Sequence, residues 1–332
     1  MPLSWGYKGV MALRNTAYNK GWFPTSHFDL PLVGVGNLSM GGTGKSPMTE
    51  YIVRLVQEHY LPATLSRGYG RSTSGFIEVQ PSSTAKEVGD EPLQFKRKFP
   101  KISVVVDENR VHAIKKMLKQ KMPIEVLVLD DIFQHRKVKT GFLILLTSYD
   151  ALFYEDHVVP AGNLRESRKG ANRADVVVVT KCPSTLTRAA RKKITEKIQK
   201  YTRAPVFFSR ITYDTRVSGT ESIPLSQLQN TELTVVTGIA NPKPFVDFLK
   251  ANNLDFKEKR FPDHHNFTEK EVAVLDRLPV ILTTEKDYMR LKTQLTTAQL
   301  YYLPIQFSFL EDGNKFDEYL LGFIESSLAN AN

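Results

Sequence analysis

A glycine-dense segment between an apolar run and a helix-like stretch constrains the fold of this chain more than any other feature. The apolar run is Leu30–Val35, the helix-like stretch is Met48–Glu58, and residues 42–46 between them read Gly-Thr-Gly-Lys-Ser. A glycine-rich turn between a strand and a helix exposes consecutive backbone N–H groups, and the helix N-terminus adds positive potential, so together they bind phosphate oxygens. The sequence therefore predicts a nucleoside triphosphate site within an α/β fold.

The predicted phosphate loop, residues 39–46, follows the pattern G-x-x-x-x-G-K-[ST] except that Ser39 stands at the leading glycine. In this pattern the lysine, here Lys45, reaches the β- and γ-phosphates, and the hydroxyl of Ser46 binds Mg²⁺. A glycine-rich connecting loop with an unrelated lysine is the alternative, but the order of strand, glycines and helix favours phosphate binding. The residues predicted to contact ATP are Ser39, Met40, Gly41, Gly42, Thr43, Gly44, Lys45, Ser46 and Lys181.

Further apolar runs recur along the chain, with helix-like segments between most of them. The runs are Leu30–Val35, Ala63–Leu65, Ile102–Val106, Val126–Leu129, Phe142–Leu146 and Val176–Thr180. Strands that are apolar throughout, rather than at alternate positions, indicate a parallel sheet covered on both faces. We therefore expect a P-loop NTPase-like α/β fold, in which a mostly parallel sheet lies between layers of helices.

A second, smaller α/β domain is predicted over residues 215–300, where apolar strands such as Leu233–Thr237 alternate with helical stretches. The larger domain is predicted to cover residues 1–210 and to regain residues 305–332, with Leu300–Phe309 returning to it as one strand. The length of 332 residues is sufficient for two domains. We expect the smaller domain to close over a cleft in the larger one.

Composition excludes several classes of protein. A single cysteine, Cys182, excludes a disulfide framework and a multi-cysteine metal site, and it favours a reducing compartment. No apolar stretch is long enough to span a bilayer. Residues 5–23 nevertheless mix aromatic and apolar residues with Lys and Arg, which is typical of a segment lying in a membrane interface. The alternative is an N-terminal arm that packs on the first strand.

The net charge of +10 is concentrated in two segments. Residues 96–121 contain nine Lys or Arg and two acidic residues, and residues 188–203 contain seven and one. Such segments are usually solvated helix faces; binding of anionic lipid, of a phosphorylated substrate or of nucleic acid are the alternatives. Neither segment interleaves aromatic with basic residues to stack bases, which disfavours nucleic acid.

Acidic and basic residues follow two of the predicted strands. Asp130 and Asp131 come directly after Val126–Leu129, as in a Walker B element that holds Mg²⁺ directly or through water. The alternative for Asp131 is a cap on the following turn. Lys181 follows another apolar run, where some phosphate-loop proteins have a lysine that contacts the nucleotide base. A solvated strand end is its alternative.

Two segments, Gly89–Pro92 and Phe261–His265, offer acid/base groups for transfer to a hydroxyl. A sugar hydroxyl has a pKa far above 7, so an Asp or His within hydrogen-bond distance would take its proton as the O–P bond forms. A helix cap and a hydrogen-bonded turn are the respective alternatives. The loop 160–166 adds Arg165, suited to a phosphate, and Glu166, suited to supporting Mg²⁺ or to orienting that arginine. The alternative is a surface ion pair.

Ten segments in order resemble the tetraacyldisaccharide 4′-kinases, the lipid A 4′-kinases of Gram-negative bacteria, and together they span about residues 10–290. The form of the phosphate loop with Ser39 is itself that of the family. The segments are Leu13–Asn15 with Tyr18–Gly21, Val35–Pro47, Ser66–Arg71, Gly89–Pro92, Asp130–Asp131 with Phe133–His135, Pro160–Glu166, Thr180–Lys181, Gly238–Pro242, Asp263–His265 with Phe267, and Thr284–Asp287. Two departures, Ile132 for a common Gly and Asn163 for a common Pro, remove no chemical group and affect loop geometry.

The resemblance implies Mg²⁺-dependent transfer of the ATP γ-phosphate to the 4′-hydroxyl of a lipid-bearing disaccharide 1-phosphate at the cytoplasmic face of the inner membrane. It implies no nucleic acid and no obligate protein partner. The implied catalytic residues are Asp90, His264 and Lys45, and the implied Mg²⁺ neighbourhood is Ser46, Asp130, Asp131 and Glu166. The implied substrate contacts are Arg67, Tyr69, Gln134, His135 and Arg165.

Two other classes of function remain open at the level of the sequence. One is a nucleotide-operated switch or assembly factor in which hydrolysis changes the affinity for a partner and no acceptor is phosphorylated. The other is a nucleic-acid-binding ATPase recruited by the basic segments. The candidate bases Asp90 and His264 favour the kinase, because a switch has no need for a base that activates a sugar hydroxyl.

Overall fold

A computed structural model describes residues 2–263 and 265–330 of the chain, and all structural statements concern these residues. The predicted base His264 therefore lies outside the described residues. The strands are β1 Leu32–Asn37, β2 Pro62–Ser66, β3 Ile77–Glu78, β4 Ser103–Val106, β5 Val126–Leu129, β6 Phe142–Ser148, β7 Val176–Thr180, β8 Val206–Tyr213, β9 Arg216–Ser218, β10 Ser222–Pro224, β11 Leu233–Thr237, β12 Lys257–Arg260, β13 Val280–Thr284, β14 Gln299–Leu303 and β15 Ile305–Phe309. The helices are α1 Pro2–Asn19, α2 Lys45–Val56, α3 Ala85–Val88, α4 Asp90–Lys98, α5 Arg110–Lys119, α6 Arg188–Ile198, α7 Lys243–Ala251, α8 Glu269–Leu275, α9 Glu285–Leu291 and α10 Gly313–Ala329.

Nine strands form the first sheet, in the order β15-β8-β7-β6-β1-β5-β2-β4-β3. Its seven inner strands are parallel, and the edge strands β3 and β15 are antiparallel to their neighbours. Every residue of β1, β5, β6 and β7 is buried, as a sheet covered on both faces requires. The predicted α/β fold, a mostly parallel sheet between helices, is confirmed.

Apolar side chains of the helices cover both faces of this sheet. On one face, Met48 and Ile52 of α2 pack in the same cluster as Phe316 and Leu320 of α10. On the other face, α5 and α6 pack with the long segment that connects β5, β6 and β7. Burial of this apolar surface is the main favourable contribution to folding. It also fixes the carboxyl ends of the parallel strands along one edge, where ligands bind in open α/β sheets.

Six strands form the second sheet, in the order β10-β9-β14-β13-β11-β12, and α7, α8 and α9 accompany it. We call the parts of the chain built on the two sheets the first unit and the second unit. The prediction of one strand over Leu300–Phe309 is wrong: β14 belongs to the second sheet and β15 to the first. Pro304 lies between them, and its carbonyl accepts a 2.9 Å hydrogen bond from the amide of Asp214, where the chain crosses in the other direction.

The N-terminal helix α1 packs against the loops that follow β5 and β6. Tyr7 donates to the carbonyl of Arg165 at 3.1 Å, and Arg14 donates to the carbonyl of Gln134 at 2.9 Å. Apolar side chains nevertheless remain exposed in this region, namely those of Val10, Leu13, Trp22 and Phe23. Across residues 2–263 and 265–330, no helix is both long enough and apolar enough to cross a membrane.

Candidate active site

The predicted phosphate loop connects the carboxyl end of β1 to the first turn of α2. Gly41 has φ 103° and Gly44 has φ 85°, a left-handed conformation that favours glycine, and α2 begins directly after it at Lys45. Inside the loop, Asn37 donates a buried 2.7 Å hydrogen bond to the hydroxyl of Thr43. The carbonyl of Thr43 accepts another, also 2.7 Å, from Thr180 at the end of β7. The loop therefore has the form of a phosphate-binding turn, and a hydrogen bond from the end of β7, two strands away from β1, holds it.

The serine at the leading position of the loop has a structural reason. Ser39 forms an antiparallel bridge with Leu164, the amide of Met40 donates to the carbonyl of Asn163 at 2.7 Å, and that of Arg165 donates to Leu38 at 2.7 Å. Residue 39 is thus extended backbone, which any residue adopts, and glycine is not required there. The same pairing joins the loop 160–166 to the phosphate loop.

Lys45 and Arg165 both contact the carboxylate of Asp131. The Lys45 ammonium lies 3.5 Å from Oδ1, and Arg165 donates to both oxygens at 2.9 and 3.0 Å. Burial disfavours ionisation of this carboxyl, but the two cations outweigh it and lower the pKa of Asp131. Asp131 is therefore ionised and connects the start of α2, the end of β5 and the loop 160–166.

Asp130 lies deeper at the same strand end. Its Oδ1 atom is buried and has no hydrogen-bond partner among the described residues. Burial, followed by the nearby carboxylate of Glu91, raises the pKa of Asp130 to about 7. Glu91 also accepts a 3.1 Å hydrogen bond from the Ser46 hydroxyl. A buried carboxyl oxygen without a partner, close to a hydroxyl and a second carboxyl, has the hard oxygen donors that Mg²⁺ prefers.

The other residue predicted at the nucleotide, Lys181, lies against the phosphate loop. It follows β7, and its ammonium donates a 2.5 Å hydrogen bond to the carbonyl of Gly42. Its backbone is left-handed, with φ 57°, which turns the chain at this point. The described residues thus bring Lys181 to the loop, and a contact with the base of a nucleotide stays a prediction.

Asp90 is the first residue of α4 and lies next to Glu91, which contacts Ser46. Gly89 precedes it with φ 94°, and a Cβ atom at Gly89 would lie 3.0 Å from the carbonyl oxygen of Tyr69. Glycine at this position lets the loop after β2 approach the start of α4. Asp90 is therefore near the phosphate loop, and α9 of the second unit contacts it through Arg290.

The predicted substrate residues surround the same edge of the sheet. Arg67 and Tyr69 lie exposed on the loop after β2, and Tyr69 is 78% exposed. His135 is half-buried, and burial, followed by the charge of Arg110, lowers its pKa to about 4. A neutral His135 among arginines suits hydrogen bonding to a polar, anionic ligand.

Glu166, predicted near Mg²⁺, has both carboxylate oxygens engaged by protein groups. Arg173 and Gln134 donate to Oε1 at 2.8 and 3.1 Å, and Asn15 donates to Oε2 at 2.9 Å. The side chain is 1% exposed. These contacts favour a role in joining α1 to the loops of the site, and the predicted place near Mg²⁺ stays a prediction.

Four residues of this region were not singled out from the sequence, although they have important contacts: Glu91, Arg110, Arg173 and Arg290. Arg110 is 3% exposed and donates to the carbonyls of Asp107 and Asp130. The sequence did contain a signal for Glu91, because this residue follows Asp90 within the candidate segment Gly89–Pro92. Arg290 carries no local signal, since its partner Asp90 is 200 residues away. Arg110 and Arg173 each have a partner within seven residues, Asp107 and Glu166, but the sequence pattern does not reveal these contacts.

A phosphate loop, a Walker B-like acidic pair and a further carboxylate at the same edge define a P-loop phosphotransferase. The family described as tetraacyldisaccharide-1-P 4′-kinase, LpxK, matches residues 1–325. The chain belongs to this family. It is 44% identical over 326 residues to the tetraacyldisaccharide 4′-kinase of Flavobacterium johnsoniae, covering 97% of this chain and 95% of that protein.

A second relative and a solved structure agree with this membership. The tetraacyldisaccharide 4′-kinase of Flavobacterium psychrophilum is 42% identical, over 98% of this chain and 96% of that protein. The crystal structure of LpxK from Aquifex aeolicus in complex with ATP is 30% identical and superimposes with a TM-score of 0.79, covering 97% of both chains. The fold and the family are therefore the ones that the sequence predicts.

Proposed function

We propose that this chain transfers the γ-phosphate of ATP to the 4′-hydroxyl of a tetraacylated disaccharide 1-phosphate, a step in lipid A biosynthesis. One contact carries the proposal: the Ser46 hydroxyl of the phosphate loop lies 3.1 Å from Oε1 of Glu91, the residue after Asp90. The contact supports a position of Asp90, the proposed proton acceptor, close to the predicted γ-phosphate site, because Asp90 directly precedes Glu91 at the start of α4. A switch that only hydrolyses its nucleotide would not need a base for a sugar hydroxyl.

The proposed reaction is a direct displacement at phosphorus. The 4′-oxygen forms a bond to the γ-phosphorus, the bond from this phosphorus to the β–γ bridging oxygen breaks, and ADP leaves. The hydroxyl proton passes to the carboxylate of Asp90, with His264 proposed as its partner. Lys45 and the backbone amides of the phosphate loop stabilise the charge that develops on the transferred group.

The residues fit a bound Mg²⁺. Ser46 and Asp130 would hold it, with Glu91 and Asp131 close by, because the unpaired buried oxygen of Asp130 and the hydroxyl of Ser46 are hard donors. When bound, the cation neutralises charge on the β- and γ-phosphate oxygens. The chain itself contributes the aligned loop and Lys45, and Arg165 keeps Asp131 oriented.

The proposed acceptor site comprises Arg67, Tyr69, Gln134, His135 and Arg165. Arginine forks and a neutral imidazole suit the phosphate and hydroxyl groups of a sugar phosphate. We further propose that the exposed apolar side chains of α1 and the following turn rest on the cytoplasmic face of the inner membrane, from which the acyl chains of the acceptor would reach the site.

Transfer of labelled phosphate tests the function directly. The purified chain is incubated with γ-³²P-ATP, Mg²⁺ and a disaccharide 1-phosphate lipid in detergent, and the lipids are separated by thin-layer chromatography. We expect a labelled lipid product that requires both the acceptor and Lys45. Equal release of inorganic phosphate with and without acceptor, and no labelled lipid, would overturn the proposal in favour of the switch.

A further inference from the structure

An ion pair between the two units involves Asp90. Arg290 of α9 donates from Nε to Oδ2 of Asp90 at 3.0 Å and from Nη2 to the same oxygen. The Arg290 side chain is 8% exposed and that of Asp90 is 19% exposed, so the pair is largely withdrawn from water. Charge-assisted hydrogen bonds in such surroundings are strong and directional.

Arg290 is itself fixed within the second unit. Its Nη1 lies 3.5 Å from Oδ1 of Asp287, which is fully buried. Oδ2 of Asp287 accepts hydrogen bonds from the amide of Gly238 and from the hydroxyl of Thr284, both at 2.8 Å. The guanidinium therefore extends from a hydrogen-bonded group of the second unit to a carboxylate of the first.

Other contacts between α4 and α9 do not involve Asp90. The ammonium of Lys98 lies 2.8 Å from Glu50 and 3.2 Å from Glu285. Arg97 lies 3.2 Å from the sulfur of Met289. Docking of α9 on α4 thus has support besides Arg290, whereas Arg290 is directed at the carboxylate next to the phosphate loop.

We propose that Arg290 is a positioning residue for phosphoryl transfer, which links docking of the second unit to the orientation of Asp90. The inference rests on the function proposed above, in which Asp90 takes the hydroxyl proton. Arg290 neither gains nor loses a proton in that reaction. By bonding Oδ2 it sets the rotation of the carboxylate, and productive geometry at the acceptor oxygen depends on this rotation.

Steady-state kinetics of Arg290→Ala and Arg290→Lys, with ATP and the lipid acceptor, test the proposal. We expect kcat of Arg290→Ala to fall about 100-fold, since misplacement of a reacting group has effects of this size. KM for ATP should stay within about threefold of the wild-type value, because Arg290 contacts Asp90 and Asp287, which lie outside the phosphate loop. Arg290→Lys should recover only part of kcat, because an ammonium lacks the planar fork of a guanidinium.

A chemical-rescue arm separates positioning from a merely structural role. Ethylguanidinium, added at millimolar concentration, should restore activity to Arg290→Ala, and ethylammonium should not. Two variants serve as controls: Arg277→Ala removes an exposed guanidinium of the second unit, and Lys98→Met removes a different ionic contact between the units. Both should retain kcat within about threefold of wild type.

Three results would overturn the inference: near-wild-type kcat in Arg290→Ala, an equal loss of kcat in Lys98→Met, or a loss that ethylguanidinium does not reverse. Near-wild-type kcat in Arg290→Ala would mean that Asp90 does not need the guanidinium for its function. Either of the other two results would mean that Arg290 acts by docking the second unit or by stabilising the fold, and not by orienting Asp90. These results leave the wild-type transfer reaction intact. A wild-type chain that labels no lipid would instead overturn the proposed function, and this inference with it.

Discussion

The ammonium of Lys45 lies 3.5 Å from Oδ1 of Asp131, and the same carboxylate accepts hydrogen bonds from Arg165. One carboxylate thus connects the helix after the phosphate loop, the end of β5 and the loop 160–166. Because Arg165 would still balance Asp131 if Lys45 were removed, the lysine can be substituted without leaving an unpaired charge. The catalytic role proposed for Lys45 can therefore be measured separately from its contribution to folding.

Lys45→Met should lower kcat for lipid phosphorylation by at least about 100-fold, because it removes a cation from the developing charge on the phosphoryl group. The free energy of unfolding should change by about 1 kcal/mol or less, since Arg165 remains. Initial rates at saturating ATP and urea denaturation measure the two effects. Lys200→Met, at an exposed lysine, is the control. A kcat within threefold of wild type would contradict the assignment of Lys45.

Asp130 should make the folded chain less stable as the pH rises from about 4 to about 7. The carboxyl ionises near pH 4 when unfolded and, because of burial, has a pKa of about 7 when folded. Between these values the folded state binds more protons than the unfolded state, so the free energy of unfolding decreases with rising pH. Across the whole window, this titration of Asp130 should lower the free energy of unfolding by an amount on the order of 4 kcal/mol.

Urea denaturation of wild type and Asp130→Asn between pH 4.5 and 7.5, with EDTA and without nucleotide, measures this contribution. The variant lacks the titrating carboxyl, so its free energy of unfolding should rise relative to wild type across the window. Asp150→Asn, at an exposed carboxyl, provides the matched control. Its free energy of unfolding should differ from that of wild type by the same amount at every pH. If the free energy of unfolding of Asp130→Asn changed with pH in the same way as that of wild type, burial would not disfavour the ionised form of Asp130.

Glu166→Gln distinguishes a structural carboxylate from a metal neighbour. Because Arg173 donates to it at 2.8 Å in a buried position, removing the negative charge should lower the free energy of unfolding by about 2 to 4 kcal/mol. The Mg²⁺ concentration for half-maximal activity should stay unchanged. A tenfold rise in that concentration would instead support the place of Glu166 near Mg²⁺ that the sequence predicts.

The apolar surface of α1 should contribute to membrane binding. Leu13 is 66% exposed and Trp22 is 64% exposed, whereas Tyr7 and Asn15 hold the helix to the site. The double variant Leu13→Ser and Trp22→Ser should bind vesicles of phosphatidylethanolamine and phosphatidylglycerol at least about tenfold more weakly, through loss of buried apolar area. Co-sedimentation measures this, with Val274→Ser of the second unit as control. Unchanged binding of the double variant to vesicles would show that the apolar surface of α1 does not contribute to membrane binding.

The parts of the site that sequence predicts well are those whose partners are close in the chain. The phosphate loop and the acidic pair after β5 depend on a strand, a turn and the next few residues, which a local pattern contains. Arg290 and Asp90 are 200 residues apart, and their contact depends on how the second unit docks. Local periodicity carries no information about such a contact.

Two other differences between the sequence-based prediction and the structure also arise from contacts that a local pattern does not contain. The run Leu300–Phe309 looks like one strand, but Pro304 within it cannot donate a ladder hydrogen bond, and the chain changes sheets there. The basic segment 96–121 looks like a solvated face. Yet Lys96 is buried and donates to the carbonyls of Pro100 and Ile102, and Lys98 contacts two carboxylates. Charge in a sequence does not reveal which partners the fold supplies.

Gly36, in the strand that enters the phosphate loop, should not tolerate even a methyl group. A Cβ atom there would lie 2.7 Å from Cβ of Phe133 and 2.9 Å from its backbone nitrogen. Phe133 is buried at 2% exposure, with the Arg173 guanidinium 4.6 Å from its ring centroid, so it has little room to move. Gly36→Ala should therefore lower the free energy of unfolding by about 2 to 3 kcal/mol through overpacking.

The same substitution should weaken ATP binding, because a shift of β1 displaces the loop that follows it. Urea denaturation and calorimetric titration with ATP measure the two effects. Gly322→Ala on α10 is the matched control, since its Cβ would meet no atom within 4 Å, and it should raise stability by about 0.5 to 1 kcal/mol through helix propensity. If Gly36→Ala behaved like Gly322→Ala, the close approach of β1 to Phe133 would not limit this position.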